Sequence, residues 1–130
     1  MKYLKIVSLL LLLVLHSCSS TTQLPVSDIA PAANITAKIS DGDHENTEIK
    51  ITARHLANPQ RLSPSKNLYV VWIVTDNDLV KNVGTIVQDG DGKVGLEVIT
   101  PFEVKEIIIT AEDKGNITKP GNMLITSKKI

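Results

Sequence analysis

The amino-acid sequence predicts an all-β domain, a seven-stranded antiparallel immunoglobulin-like sandwich, and three features carry that prediction. Beyond an amino-terminal apolar run, hydrophobic residues recur with period two over short stretches. Each stretch closes on turn residues, as at Asp41-Gly42-Asp43, Asp76-Asn77-Asp78 and Asp89-Gly90-Asp91-Gly92. No segment offers a helical repeat of ten or more residues. Seven short strands in about a hundred residues suit two packed sheets, with a small closed or partly open barrel as the runner-up.

The first strand is expected over about Asn34–Ser40, where Ile35, Ala37 and Ile39 share one parity. The second, about Thr47–Leu56, sets Ile49, Ile51 and Ala53 inward against Lys50, Thr52 and Arg54 outward. Asn58-Pro59 and Ser63-Pro64 then break the chain. Asn67–Thr75 is the most strand-like run: Tyr69, Val71 and Ile73 lie on one parity, Val70, Trp72 and Val74 on the other. With both faces apolar it should be a central strand covered on both sides.

A fourth strand is expected over about Leu79–Gln88, where Gly84 interrupts the pattern and signals a bulge or a close backbone approach. The Asp89–Gly92 turn leads into Val94, Leu96 and Val98, and Pro101 ends that fifth strand. Lys105–Glu112 and about Asn122–Ser127 complete the set, the last following Lys119-Pro120-Gly121. The core should be mainly Ile, Val and Leu, each contributing about 2 kcal/mol on burial. Trp72 reads as a core anchor.

The amino terminus has a different character. Lys2 and Lys5 flank a basic head, and Ile6–Leu15 is a nearly unbroken apolar run of ten residues, about half of the roughly 20 that a membrane-spanning helix needs. Residues 1–17 therefore read as a signal peptide. Leu15-His16-Ser17-Cys18 resembles the lipobox of bacterial lipoproteins, His16 being an unusual choice within it. The resemblance implies cleavage before Cys18, diacylglycerol on its sulfur and fatty acylation, such as palmitate, of the new amino terminus. Cys18 is the sole cysteine, so an acylated domain would hold no disulfide. Residues 18–33, with two prolines and little periodicity, read as a lipidated tether, and 34–130 as the folded domain. Ser19 and Ser20 supply no acidic retention signal, which favours an outer-membrane, periplasm-facing position in the cell envelope.

His55-Leu56 with Pro59 and Arg61-Leu62, Tyr69-Val70-Val71-Trp72, Asn82-Val83-Gly84, Thr100-Pro101-Phe102, Thr110-Ala111-Glu112 and Pro120-Gly121 follow one another in an order that resembles the extracytoplasmic domain of anti-sigma-K factors and its stand-alone relatives. The likeness runs from about His55 to the carboxyl terminus. It implies a β-sandwich outside the membrane and transfers no catalytic residue. The sigma-binding segment and transmembrane helix of full anti-sigma factors have no counterpart in this sequence, so their regulatory activity is not implied.

Lys2 and Lys5 leave with the signal, so twelve bases face fourteen acids in the remainder, a formal charge of −2. That is no footprint for nucleic acid. His44 and His55 are the only histidines beyond the signal, and no nucleophile elbow, phosphate loop or zinc spacing accompanies them. His55 reads as a partly buried strand-end residue rather than a general base. Tyr69, Trp72 and Phe102 are too few aromatics for a glycan-stacking platform. Asn34-Ile35-Thr36 and Asn116-Ile117-Thr118 match glycosylation sequons, which chance explains in a bacterial lipoprotein.

Loops alternate between the two ends of an antiparallel sandwich, so Asp41, Asp43, Glu45, Asp76, Asp78 and Glu103 should share one end. They form the candidate partner or ion surface, although no segment carries a complete calcium loop. With the tether entering at the other end, this acidic surface would point away from the lipid. The expectation is a non-catalytic envelope lipoprotein, attached to the membrane through its lipid, that binds or organises another envelope protein without cofactor or metal. A small ligand- or calcium-binding module is the alternative.

Overall fold

A computed structural model of the chain describes residues 19–88 and 94–130. Nine strands are present among these: β1 (Ser19–Gln23), β2 (Asn34–Asp41), β3 (Thr47–Arg54), β4 (Leu68–Thr75), β5 (Val80–Thr85), β6 (Val87–Gln88), β7 (Val94–Thr100), β8 (Val104–Glu112) and β9 (Leu124–Lys129). They build two antiparallel sheets, ordered β1-β2-β3-β7-β6 and β5-β4-β8-β9. β2, β3, β7 and β6 take the places of immunoglobulin strands A, B, E and D, while β5, β4, β8 and β9 take those of C′, C, F and G. The sheets do not close on each other, which excludes the barrel. The turn read at Asp89–Gly92 lies outside the described residues, as does everything before Ser19.

The core follows the parities of the sequence. Ile35, Ala37, Ile49, Ile51 and Ala53 from one sheet meet Tyr69, Val71, Ile73, Ile107, Ile109 and Ala111 from the other. β4 lies between β5 and β8, the central position expected of it. The Tyr69 hydroxyl donates to the Ala57 carbonyl at 2.6 Å, tying the β3–β4 connection to the strand, and burial pushes its pKa upward.

Two expectations are corrected. The fourth predicted strand is two strands in different sheets: β5 pairs with β4, whereas β6 pairs with β7. The register slips between Val71 and Trp72, opposite Asn82–Gly84, and Gly84 has φ +138°. This is the bulge that glycine permits, and the chain changes sheets just beyond it. A continuous period-two run cannot reveal that its ends hydrogen-bond to different partners.

Residues 19–33 are not a loose tether. Ser19–Gln23 forms β1 against β2, and the Leu24 amide prolongs the ladder to the Ile35 carbonyl at 2.9 Å. Leu24 lies in the main core, while Ser27 and Ala30 are buried. The Ser27 hydroxyl accepts from the amides of Ile29 and Ala30, and Thr126 Oγ1 donates to the Pro25 carbonyl at 2.8 Å. Ser-Ser-Thr-Thr-Gln shows no apolar alternation because β1 is an edge strand with largely exposed side chains.

The β2–β3 turn carries avoidable strain. His44 (φ 57°) and Glu45 (φ 63°) occupy consecutive left-handed positions, with the Asn46 amide donating to the Asp43 carbonyl at 3.1 Å. Two central residues of that conformation define a turn that favours Asn-Gly. The double variant His44→Asn, Glu45→Gly is expected to raise unfolding free energy by about 1 kcal/mol, after allowance for glycine's larger unfolded-state entropy. Urea unfolding at unchanged m-value measures it, and a lower midpoint would show that the native side chains hold the turn.

Candidate functional site

The register places one end of the sandwich unambiguously. Asp41 pairs with Thr47 and Thr47 with Thr100, so the β2–β3 and β7–β8 turns emerge together. Thr75 pairs with Val104 in the other sheet, which brings the β4–β5 turn to the same end. Asp41, Asp43, Glu45, Asp76, Asp78 and Glu103 therefore share this end, all exposed. The topology assembles the residues that loop alternation selected.

Their orientation toward the amino terminus is the reverse of the expectation. Ser19 pairs with Ser40, one residue before Asp41, so the chain enters at the acidic end and β1 runs away from it. An entering segment that pairs as an edge strand reverses the end from which the chain arrives. Sequence alternation counted from β2 could not include it.

Side-chain chemistry at this end is specific at one pair. Lys105 Nζ donates to Asp78 Oδ1 at 2.6 Å. This hydrogen bond and the lysine charge hold the Asp78 carboxyl below its usual pKa, and the same contact raises that of Lys105. Asp78 itself adopts φ 62° and closes the turn, donating its amide to the Thr75 carbonyl. Lys81 Nζ lies 5.7 Å from the Phe102 ring centroid. Among the described residues no three His, Cys, Asp or Glu side chains group as metal ligands would. Millimolar calcium is therefore expected to leave the melting temperature unchanged, and a rise on titration would show the acids converging on the ion.

Trp72 is fully buried, yet on the face of its sheet that points away from the main core. Its indole Nε1 donates to Thr110 Oγ1 at 2.9 Å, and Thr110 Oγ1 donates to Glu112 Oε2 at 2.7 Å. That carboxylate oxygen also accepts from the Gly121 amide at 2.7 Å, and a Cβ on Gly121 would collide with the other oxygen, Glu112 Oε1. Asn82, paired with Trp72 across the strands, donates to the carbonyls of Gly115 at 2.8 Å and Ile117 at 2.9 Å. The β8–β9 connection is thus pinned back over the outer face of β4, the second cover that the apolar parity of Val70 and Trp72 demanded. Sequence reading missed this network. The polar Thr110 and Glu112, interrupting an apolar run on the Trp72 face, were the available signal.

Other candidates separate. His55 is exposed at φ 56°, not partly buried, because the chain leaves the strand after Arg54 and the parity of Ile49, Ile51 and Ala53 no longer applies. His44 is likewise exposed in its turn. A cavity of about 550 Å³ lies on the outer face of β2, β3 and β7, bordered by Lys38, Glu48, Lys50, Glu97 and Ile99. Lys50 and Glu97 stand 3.4 Å apart there and engage each other. Cys18 lies outside the described residues. Among those described, no helix is long and apolar enough to cross a membrane.

Comparison with family models, curated proteins and solved structures found no match to this chain. No match supports the expected resemblance to anti-sigma-K domains, which rests on short motifs alone. In this fold they have structural uses: Tyr69 and Trp72 fill the two faces of β4, Asn82 and Gly84 shape its bulged neighbour, and Thr110, Glu112 and Gly121 hold the covering loop.

Proposed function

We propose that this protein is a lipid-anchored, non-catalytic bacterial envelope lipoprotein whose sandwich binds or organises another envelope protein. The observation that carries the reading is the sole cysteine, Cys18, at the end of Leu15-His16-Ser17-Cys18 and directly after the apolar Ile6–Leu15 run. The likeness to stand-alone anti-sigma-K sandwiches agrees with an extracytoplasmic, non-enzymatic role. An outer-membrane position facing the periplasm goes with Ser19 and Ser20.

Charge separation along the domain supports a binding role. One end carries the six acids, with Lys105 paired to Asp78, while among the described residues the other carries Arg54, Arg61, Lys66, Lys114 and Lys119 against the acids Asp28 and Asp113, a net excess of bases. With the lipid beside β1, the basic end is the one free to meet a soluble partner, and it suits an acidic protein surface. Labelled palmitate should enter the wild-type protein and not Cys18→Ser. Crosslinking in intact cells should capture one protein reproducibly, and Arg61→Glu with Lys119→Glu should abolish that capture. Reproducible capture undiminished by both reversals would count against the basic end as the docking surface.

A further inference from the structure

Ser19, where the described chain begins, lies at the acidic end together with several exposed apolar residues. Ser19, Ser40, Glu48 and Ile99 form one lateral row across β1, β2, β3 and β7. Cys18 is joined to Ser19 by one peptide bond. The following row, Asp41, Thr47 and Thr100, already lies farther out, and Phe102 comes two residues beyond Thr100. Phe102 thus lies in the β7–β8 turn at this end, with Lys81 Nζ 5.7 Å from its ring centroid. Ile99 is 66% exposed, Leu79 49%, Ile130 48% and Phe102 37%. The Leu79 and Ile130 segments are linked: Asp78, next to Leu79, binds Lys105, whose carbonyl accepts from the Ile130 amide at 2.9 Å.

We infer that this end rests on the lipid surface, with Phe102, Leu79 and Ile130 seated among the headgroups beside the acylated Cys18. The inference rests on the lipoprotein reading above. A free tether of fifteen residues would leave orientation open, whereas β1 pairs with β2 from Ser19 onward and leaves one peptide bond between ladder and lipid. Exposed apolar tips held that close to a bilayer gain by leaving water. The six acids at this end oppose an anionic surface, so the chemistry selects a zwitterionic one. The basic end then faces away from the membrane.

The test uses the full acylated protein in vesicles of phosphatidylcholine and phosphatidylethanolamine containing a spin-labelled lipid. A polarity-sensitive fluorophore is attached at Phe102→Cys, and in a second preparation at Leu79→Cys in case the first fails to fold. Val26→Cys, an exposed position on the β1–β2 connection at the opposite end, is the comparison. Acylated Cys18 has no thiol to label. Emission is expected to shift to the blue and to be quenched several-fold more strongly at position 102 or 79 than at 26. Equal quenching at both ends, or stronger quenching at 26, overturns the inference, as would follow if β1 peeled from β2 or a second copy covered this end. Fatty-acid labelling of the same preparations separates the failures. Without acyl chains on Cys18 the lipoprotein reading falls and the docking with it; with acyl chains and no preferential quenching, only the docking falls.

Discussion

Replacing Trp72 by alanine is expected to remove about 3–5 kcal/mol of stability, a large part of the 5–15 kcal/mol typical of a whole domain. The indole is fully buried and holds two layers together. It fills the outer face of β4 beneath the β8–β9 connection, and its Nε1 is the donor that meets Thr110 Oγ1. Removing the ring leaves a cavity that Asn82 and Gly121 hinder from collapsing, because both pin the covering loop at fixed points. Trp72→Phe keeps most of the apolar area and loses the indole donor, so a loss of roughly 1–2 kcal/mol is expected. Trp72 is the chain's sole tryptophan, so urea unfolding must be followed by far-ultraviolet circular dichroism. A loss below about 1 kcal/mol for the alanine variant would mean that the loop does not seal this face.

Leu24→Ala is expected to cost about 2–5 kcal/mol, the range for truncating a buried leucine. A residue in a free tether would cost nothing. Leu24 belongs to the same buried cluster as Ile35, Ile125 and Tyr69, and its amide continues the β1–β2 ladder. Pro25 and Ser27 then tie the crossover to β9 and to itself. Unfolding measured on the chain beginning at Cys18 decides the matter. Stability unchanged by the substitution would return residues 19–33 to the status of a linker and remove the basis for a fixed orientation on the membrane.

The fate of individual segments shows why parts of this molecule were legible and others were not. Ile49, Ile51 and Ala53 alternate with Lys50 and Thr52, and each side chain went to the face its parity assigns, because a one-residue slip would expose the whole row. Six acids were correctly assigned to one end by loop alternation, since antiparallel strands leave no other arrangement. Ser19–Gln23 escaped notice because an edge strand needs only backbone hydrogen bonds, to which every residue contributes alike. Its direction set which end adjoins the amino terminus, so one unseen strand inverted the expected orientation. Glu112 escaped notice for a related reason: its partners, Thr110 and Gly121, lie two and nine residues away, and the loop that brings Gly121 back has no periodic signature.

What the sequence by itself determined was the class of fold, the inward parity of each long strand and the place of the acidic turns. Burial drives these choices, and hydrophobic period is written residue by residue. Only the tertiary structure decided that the polar segment after Cys18 joins a sheet, that the chain changes sheets after Gly84, and that the β8–β9 connection buries Trp72. Those outcomes depend on backbone hydrogen bonds and on loop carbonyls meeting Asn82, which are contacts between segments that no local pattern encodes.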